Sequence, residues 1–217
     1  MSGPGIHDGA AWRRFLWLFL RSRFMLPVCA GIVAVVGLIT LWAWGTTPVI
    51  ADGPNAIDRA IVQRNLITGI TAVAASALAL TLRSPWPEMD DAAGPTVRRI
   101  RFVAFLIATI LIAGIMAALG TRWDTPGAGA MLARGFLGWL GIALIGRQVL
   151  GEGRGWWIGF AWAGLAIVAG DTWRIHYPPW AWSAQDATSV LAWVVAIMAF
   201  VGGMAILARS AMGLHDQ

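Results

Sequence analysis

The stretch MLARGFLGWLGIALIGRQVL, residues 131–150, decides how the whole chain is read. A helix that crosses a bilayer needs about 20 mostly apolar residues. This stretch supplies that length with two charges, Arg134 and Arg147. Its apolar residues do not alternate with a period of two, so it reads as a helix and not as a strand of a membrane barrel. Gly135, Gly138, Gly141 and Gly146 punctuate it. In water they would weaken a helix, but in a membrane they let a second helix approach closely.

Further apolar blocks lie on both sides, at 24–44, 66–82, 102–119, 155–170 and 189–208. The 217 residues are 58% hydrophobic and 12% charged, with a mean hydropathy of +0.68. Ordinary soluble domains carry about 25% charged residues, so the composition places the chain in a membrane. No polar stretch is long enough for a second globular unit. The expectation is therefore an all-α fold, with residues 1–217 forming a single transmembrane domain of six helices. Gly202 and Gly203 in the last block read as close-packing positions, like those of the fourth.

The net charge is +5 and all 16 basic residues are arginine. They sit at the ends of apolar blocks instead of on one polar face, which makes them a topology signal and argues against nucleic acid. With the N-terminus inside, eleven arginines fall on the cytoplasmic side. Arg59, Arg64, Arg122, Arg134 and Arg174 fall outside. This bias predicts a multi-pass plasma-membrane protein with both termini cytoplasmic. Tryptophans mark the two interfaces, with Trp42, Trp44, Trp123, Trp173, Trp180 and Trp182 at one boundary and Trp12, Trp17, Trp86, Trp156 and Trp157 at the other.

The N-terminal segment AAWRRFLWLFLRSR, 10–23, is too short to cross. Read as a helix, it places Trp12, Phe15, Leu16, Phe19 and Leu20 on one stripe and turns Arg13, Arg14 and Arg21 away. It is expected to lie flat in the cytoplasmic leaflet, contacting membrane lipids. A plain basic anchor ahead of the first span is the simpler alternative. No small-residue cleavage site follows within signal-peptide range, so the segment is expected to be retained.

Two loops have character. In SPWPEMDDAAGPTVRRIR, 84–101, Ser84 suits a cap, Pro85 and Pro87 a first turn, and Glu88, Asp90 and Asp91 the positive end of a helix, with Gly94 and Pro95 read as its stop. A short acid-faced helix is expected there. The stretch DTWRIHYPPWAWSAQDAT, 171–188, is rich in aromatic residues and proline, so it should form no long helix and should dip back into the bundle. GEGRG, 151–155, reads as a tight inner turn.

Catalytic constellations are scarce. His7, His176 and His215 lie outside the apolar blocks, which gives neither paired haem ligands nor an HExxH zinc site. The lone Cys29 excludes an intrachain disulfide and reads as a small packing residue. A Walker A loop needs lysine, and the chain has none. Neither an enzyme activity, a metal nor a cofactor is expected in the chain itself. Arg134 is the exception. Twelve residues separate it from Arg147, about 18 Å of helix against a hydrocarbon core of about 30 Å. Arg134 is therefore expected inside the apolar zone as a candidate pathway charge, with Asp124 or Asp171 as its partner. Snorkelling toward the surface from a tilted helix explains the same spacing without a functional role.

This layout, together with the segments 84–101 and LARGFLGWLGIALIGRQVLG, 132–151, and the WAW of the outer loop, resembles the permease subunits of the ABC exporter class that includes O-antigen and teichoic-acid exporters, and small actinobacterial relatives of them. The resemblance implies a permease working with a separate ATP-binding subunit, which would carry ATP and Mg, and with a second permease copy or a homologous permease. It also implies that Pro87, Glu88, Met89, Asp90 and Asp91 form the coupling helix touching that ATPase. A non-transporting scaffold or accessory subunit of a membrane complex is the competing expectation.

Overall fold

The computed structural model describes residues 28–35, 37–38, 56–82, 94–123, 125–151, 154–172 and 177–212. The flat helix expected at 10–23 and the acid-faced coupling helix at 87–91 lie outside these residues. Every regular element among the described residues is helical. A first helical stretch covers 28–35 and 37–38 (α1), inside the block expected at 24–44. It is followed by α2 (Ala56–Leu80), α3 (Gly94–Gly120), α4 (Ala128–Leu150), α5 (Trp156–Thr172), a 3-10 helix (Pro179–Ala184) and α6 (Val190–Met212).

Four of these, over Ile61–Leu80, Thr96–Gly120, Ala128–Leu150 and Val190–Ser210, are long and apolar enough to cross a membrane. The 17 residues of α5 reach about 26 Å, a little less than the hydrocarbon core. Helix boundaries differ from the apolar blocks where polar turns extend a helix. The second begins at Ala56 instead of 66, because Asp58, Arg59 and Arg64 continue it toward the polar boundary. Gly94 and Pro95, read from sequence as a stop, instead open α3. A proline in a first turn loses nothing, since its missing N–H has no acceptor in the helix.

The stretch that decided the reading is the centre of the bundle. Helix α4 packs against α2, α3, α5 and α6, and 72% of its apolar window is buried, against 22% for α3 and α6. Its core side chains Leu132, Phe136, Trp139 and Leu140 meet Ile67 and Leu78 of α2 and Phe105 and Met116 of α3 in one cluster. Ile107, Ile110 and Leu111 of α3 and Val194, Ile197, Met198 and Val201 of α6 stay exposed, an apolar belt suited to lipid. The buried hydroxyls of Thr71 and Thr109 are satisfied within their own helices. Thr71 donates to the Ile67 carbonyl at 2.8 Å and Thr109 to that of Phe105 at 2.9 Å.

The glycines of α4 act as the packing surface expected of them. A Cβ at Gly141 would run into the backbone of Ala199 and Phe200 on α6, and one at Gly203 would meet the Gly141 carbonyl oxygen at 2.7 Å. At Gly135 the neighbour is the Thr71 side chain, with Oγ1 at 2.8 Å. Gly202 faces only Ile145 Cδ1, at 3.8 Å, and has no comparable need to be glycine. Turns at both ends of α4 use left-handed glycines, Gly127 (φ 74) and Gly151 (φ 85), a conformation in which a Cβ is strained. At the second turn, Arg154 N–H donates to the Gly151 carbonyl at 3.2 Å, closing the tight turn read from GEGRG.

Candidate functional site

Residues 177–189 return from the end of α5 into the bundle before α6 begins. Pro178 and Pro179 start the 3-10 helix, which kinks at Ala181 (φ −87, ψ 40). Ala181, Trp182, Ser183 and Ala184 are buried, as expected of a segment that dips back. The Trp182 indole lies on Trp139, centroids 5.0 Å apart and planes at 41°. Gly138 makes this contact feasible, since a Cβ there would meet Trp182 Cζ3 at 2.8 Å and the Ala196 Cβ at 3.1 Å.

Irregular backbone buried in a bundle leaves polar groups that need partners. Its own turns supply some, the N–H of Ala181 donating to the Pro178 carbonyl at 2.9 Å, that of Gln185 to the Trp182 carbonyl at 3.3 Å and that of Ser189 to the Asp186 carbonyl at 3.1 Å. Side chains add further donors. Arg134, with no exposed surface, donates from Nη1 to the Asp186 carbonyl at 2.8 Å and from Nη2 to those of Gln185 at 2.5 Å and Trp182 at 3.4 Å. The Gln185 amide donates to the Pro178 carbonyl at 3.3 Å, Trp162 Nε1 to that of Trp180 at 3.0 Å, and Trp193 Nε1 to that of Ala187 at 2.9 Å. Six carbonyls of the segment are thereby held by donors from α4, α5, α6 and the segment itself. The Arg134 guanidinium also lies 5.9 Å from the Trp193 ring centroid, within cation–π range. Ser189 caps α6, its Oγ accepting from Ala192 N–H at 3.3 Å and donating to Gln185 Oε1 at 2.6 Å.

The partner expected for Arg134 was a carboxylate, Asp124 or Asp171; their side chains lie outside the described residues. The partners observed are backbone carbonyls. Arg134 is fully buried in the bundle, but the receiving carbonyls were not legible in the sequence, because no residue type advertises a backbone group in need of a donor.

A second tie runs from α2. Arg64 pairs with the Asp186 carboxylate and lies 5.4 Å from the Tyr177 ring centroid. Thr68 Oγ1 donates to Ser183 Oγ at 3.4 Å, and Thr125 Oγ1 to Gln63 Oε1. Burial raises the Tyr177 phenol above its ordinary value against the opposing pull of Arg64, so it stays neutral through physiological pH. The Arg64–Asp186 pair is worth little, since the Asp186 side chain is 67% exposed. Asp186→Ala is expected to cost less than about 1 kcal/mol, measured as a shift of the unfolding midpoint in mixed micelles. Arg134 uses the Asp186 backbone, which this substitution leaves in place; a loss several times larger would mean that the carboxylate anchors the segment.

Among the described residues no group of three or more His, Cys, Asp or Glu is placed to hold a metal ion. Polar chemistry is concentrated instead on fixing the returning segment. No protein-family model, curated protein or solved structure matches the chain.

Proposed function

We propose that the chain is the permease subunit of an ATP-driven exporter, crossing the plasma membrane six times with both termini in the cytoplasm. A separate ATP-binding subunit carries ATP and Mg, and a second permease copy or a homologous permease completes the pathway. The observation that carries this reading is the segment 177–189 folded into one end of the bundle and held by Arg134 on its central helix. A returning segment of this kind is suited to close the outer end of a pathway. Helix α4 contacts both α2 and α3, and the loop joining those two contains the acidic residues Glu88, Asp90 and Asp91. Force delivered by an ATPase at that loop acts on the two helices flanking Arg134, and so on the grip it has on the segment.

Changing Glu88, Asp90 and Asp91 together to arginine is expected to abolish copurification of an ATP-binding protein from mild detergent. Retention of that partner would remove the coupling role.

A second reading, a scaffold subunit that transports nothing, is favoured by a specific observation. Arg134 donates to backbone carbonyls, and α4 and α6 touch glycine against backbone, both of which suit a permanently closed bundle. A disulfide introduced as Thr68→Cys with Ser183→Cys, in a Cys29→Ala background, separates the two. Locking the segment should lower ATP turnover of an exporter complex at least tenfold and leave that of a scaffold complex unchanged.

A further inference from the structure

The ties that fasten the returning segment 177–189 to the helices fall on two edges of unequal strength. On the edge toward α4 and α6 they are buried. Arg134, with no exposed surface, holds the Asp186 carbonyl at 2.8 Å and that of Gln185 at 2.5 Å, and hydrogen bonds from a charged, buried donor are strong and little affected by salt. The Trp182 indole lies on Trp139, next to Gly138 and Ala196, and Trp193 Nε1 holds the Ala187 carbonyl at 2.9 Å. On the edge toward α2 and α5 the ties are exposed or long. Arg64 pairs with an Asp186 carboxylate that stands mostly in solvent. Trp162 and Trp180, joined from indole to carbonyl, are both exposed. Thr68 Oγ1 reaches Ser183 Oγ only at 3.4 Å, longer than the usual hydroxyl spacing of about 2.5–3.0 Å.

Asp186 belongs to both edges, since Arg134 holds its backbone and Arg64 its side chain. A segment fastened strongly on one side and weakly on the other parts first on the weak side, because local opening follows the least stable contacts. We infer that the returning segment is a flap hinged on α4 and α6 and latched to α2 by the Arg64–Asp186 pair, so that it opens by leaving α2 while Trp182 stays on Trp139. Opening in this direction uncovers Thr68 and Ser183, both buried in the closed form. Salt, or any charged group that competes for Arg64 or Asp186, releases the latch without touching the hinge. The inference concerns only the order in which these contacts part, and it depends neither on an ATPase nor on transport.

The test places single cysteines in the full-length protein with Cys29→Ala, in phosphatidylcholine nanodiscs, and follows their reaction with a small neutral maleimide. Raising the salt from about 0.01 to about 1 M shortens the screening length from about 30 to about 3 Å. This should speed modification of Ser183→Cys about two- to fivefold, the worth of an exposed ion pair. Adding Asp186→Asn should give the fast rate already at low salt and remove the salt dependence. Thr68→Cys should follow Ser183→Cys, whereas Ala196→Cys, buried beside Gly138 on the hinge side, should stay slow throughout. The salt comparison is made on one protein, so it stands even where Asp186→Asn folds poorly. A rate at Ser183→Cys that ignores salt would overturn the latch. Equal acceleration at Ala196→Cys would overturn the hinge, since the segment would then leave as a whole, and no reaction at either Ser183→Cys or Thr68→Cys would show that no flap opens. None of these outcomes bears on copurification of an ATP-binding protein, so failure here is distinct from failure of the exporter reading.

Discussion

Arg134→Met is expected to destabilise the protein by about 1–3 kcal/mol, the range for leaving a buried acceptor without its donor. Methionine fills much of the arginine's volume, so packing alone accounts for little of the loss. What is lost is the arginine donor set for the carbonyls of Trp182, Gln185 and Asp186; Trp182 and Asp186 keep the N–H groups of Gln185 and Ser189, so the loss falls chiefly on the Gln185 carbonyl. Arg134→Lys should recover at most about half, because a lysine presents its donors from one nitrogen and cannot span three carbonyls as a guanidinium fork does. The measurement is the unfolding midpoint in mixed micelles, followed by circular dichroism. A shift equal to that of Asp186→Ala would mean that the segment holds itself in place without Arg134.

Gly141→Leu is expected to cost at least about 2–3 kcal/mol, at the upper end for overpacking a close-packed interior. The reason lies in what the new side chain meets. At Gly138 the neighbours are side chains, Trp182 and Ala196, which have some freedom to shift. At Gly141 they are the backbone atoms of Ala199 and Phe200, and these yield only if α6 moves away from α4. Since α6 is among the main partners of α4, the substitution loosens the bundle as a whole. Gly114→Ala and Gly164→Ala are the controls. A Cβ at either meets nothing within 4 Å, so each should lie within about 0.5 kcal/mol of the native protein. Similar losses at Gly141 and Gly164 would show that glycine content, and not the helix contact, sets the stability.

The two substitutions also show how unevenly the sequence discloses the structure. That Gly135, Gly138 and Gly141 form a packing surface follows from their spacing in an apolar helix. That Gly141 meets backbone while Gly138 meets an indole does not, because the partners come from α6 and from the returning segment, more than forty residues away in sequence. Helix ends behaved in the same way. Apolar-run counting placed the second helix at 66, whereas the chain remains helical from Ala56 through Asp58, Arg59 and Arg64. A polar residue ends an apolar run without ending a helix. Gly94 and Pro95 carry a stop signal and a start signal at once, and the chain uses them as the start of α3.

Composition and periodicity by themselves determined that the described residues are helical, with helices long and apolar enough to cross a membrane, that residues 131–150 form a helix built for close contact, and that Arg134 stands among its apolar residues. Each follows from quantities local to the chain, namely apolar run length, charge spacing and the absence of two-residue alternation. Tertiary structure alone decided that this helix is the centre of the bundle, that Arg134 grips backbone carbonyls of the returning segment, and that a cavity lies between α1 and α2. Backbone acceptors and empty volume carry no letter in a sequence. They come into being only when distant segments are brought together in a solvent that leaves them no water to bind.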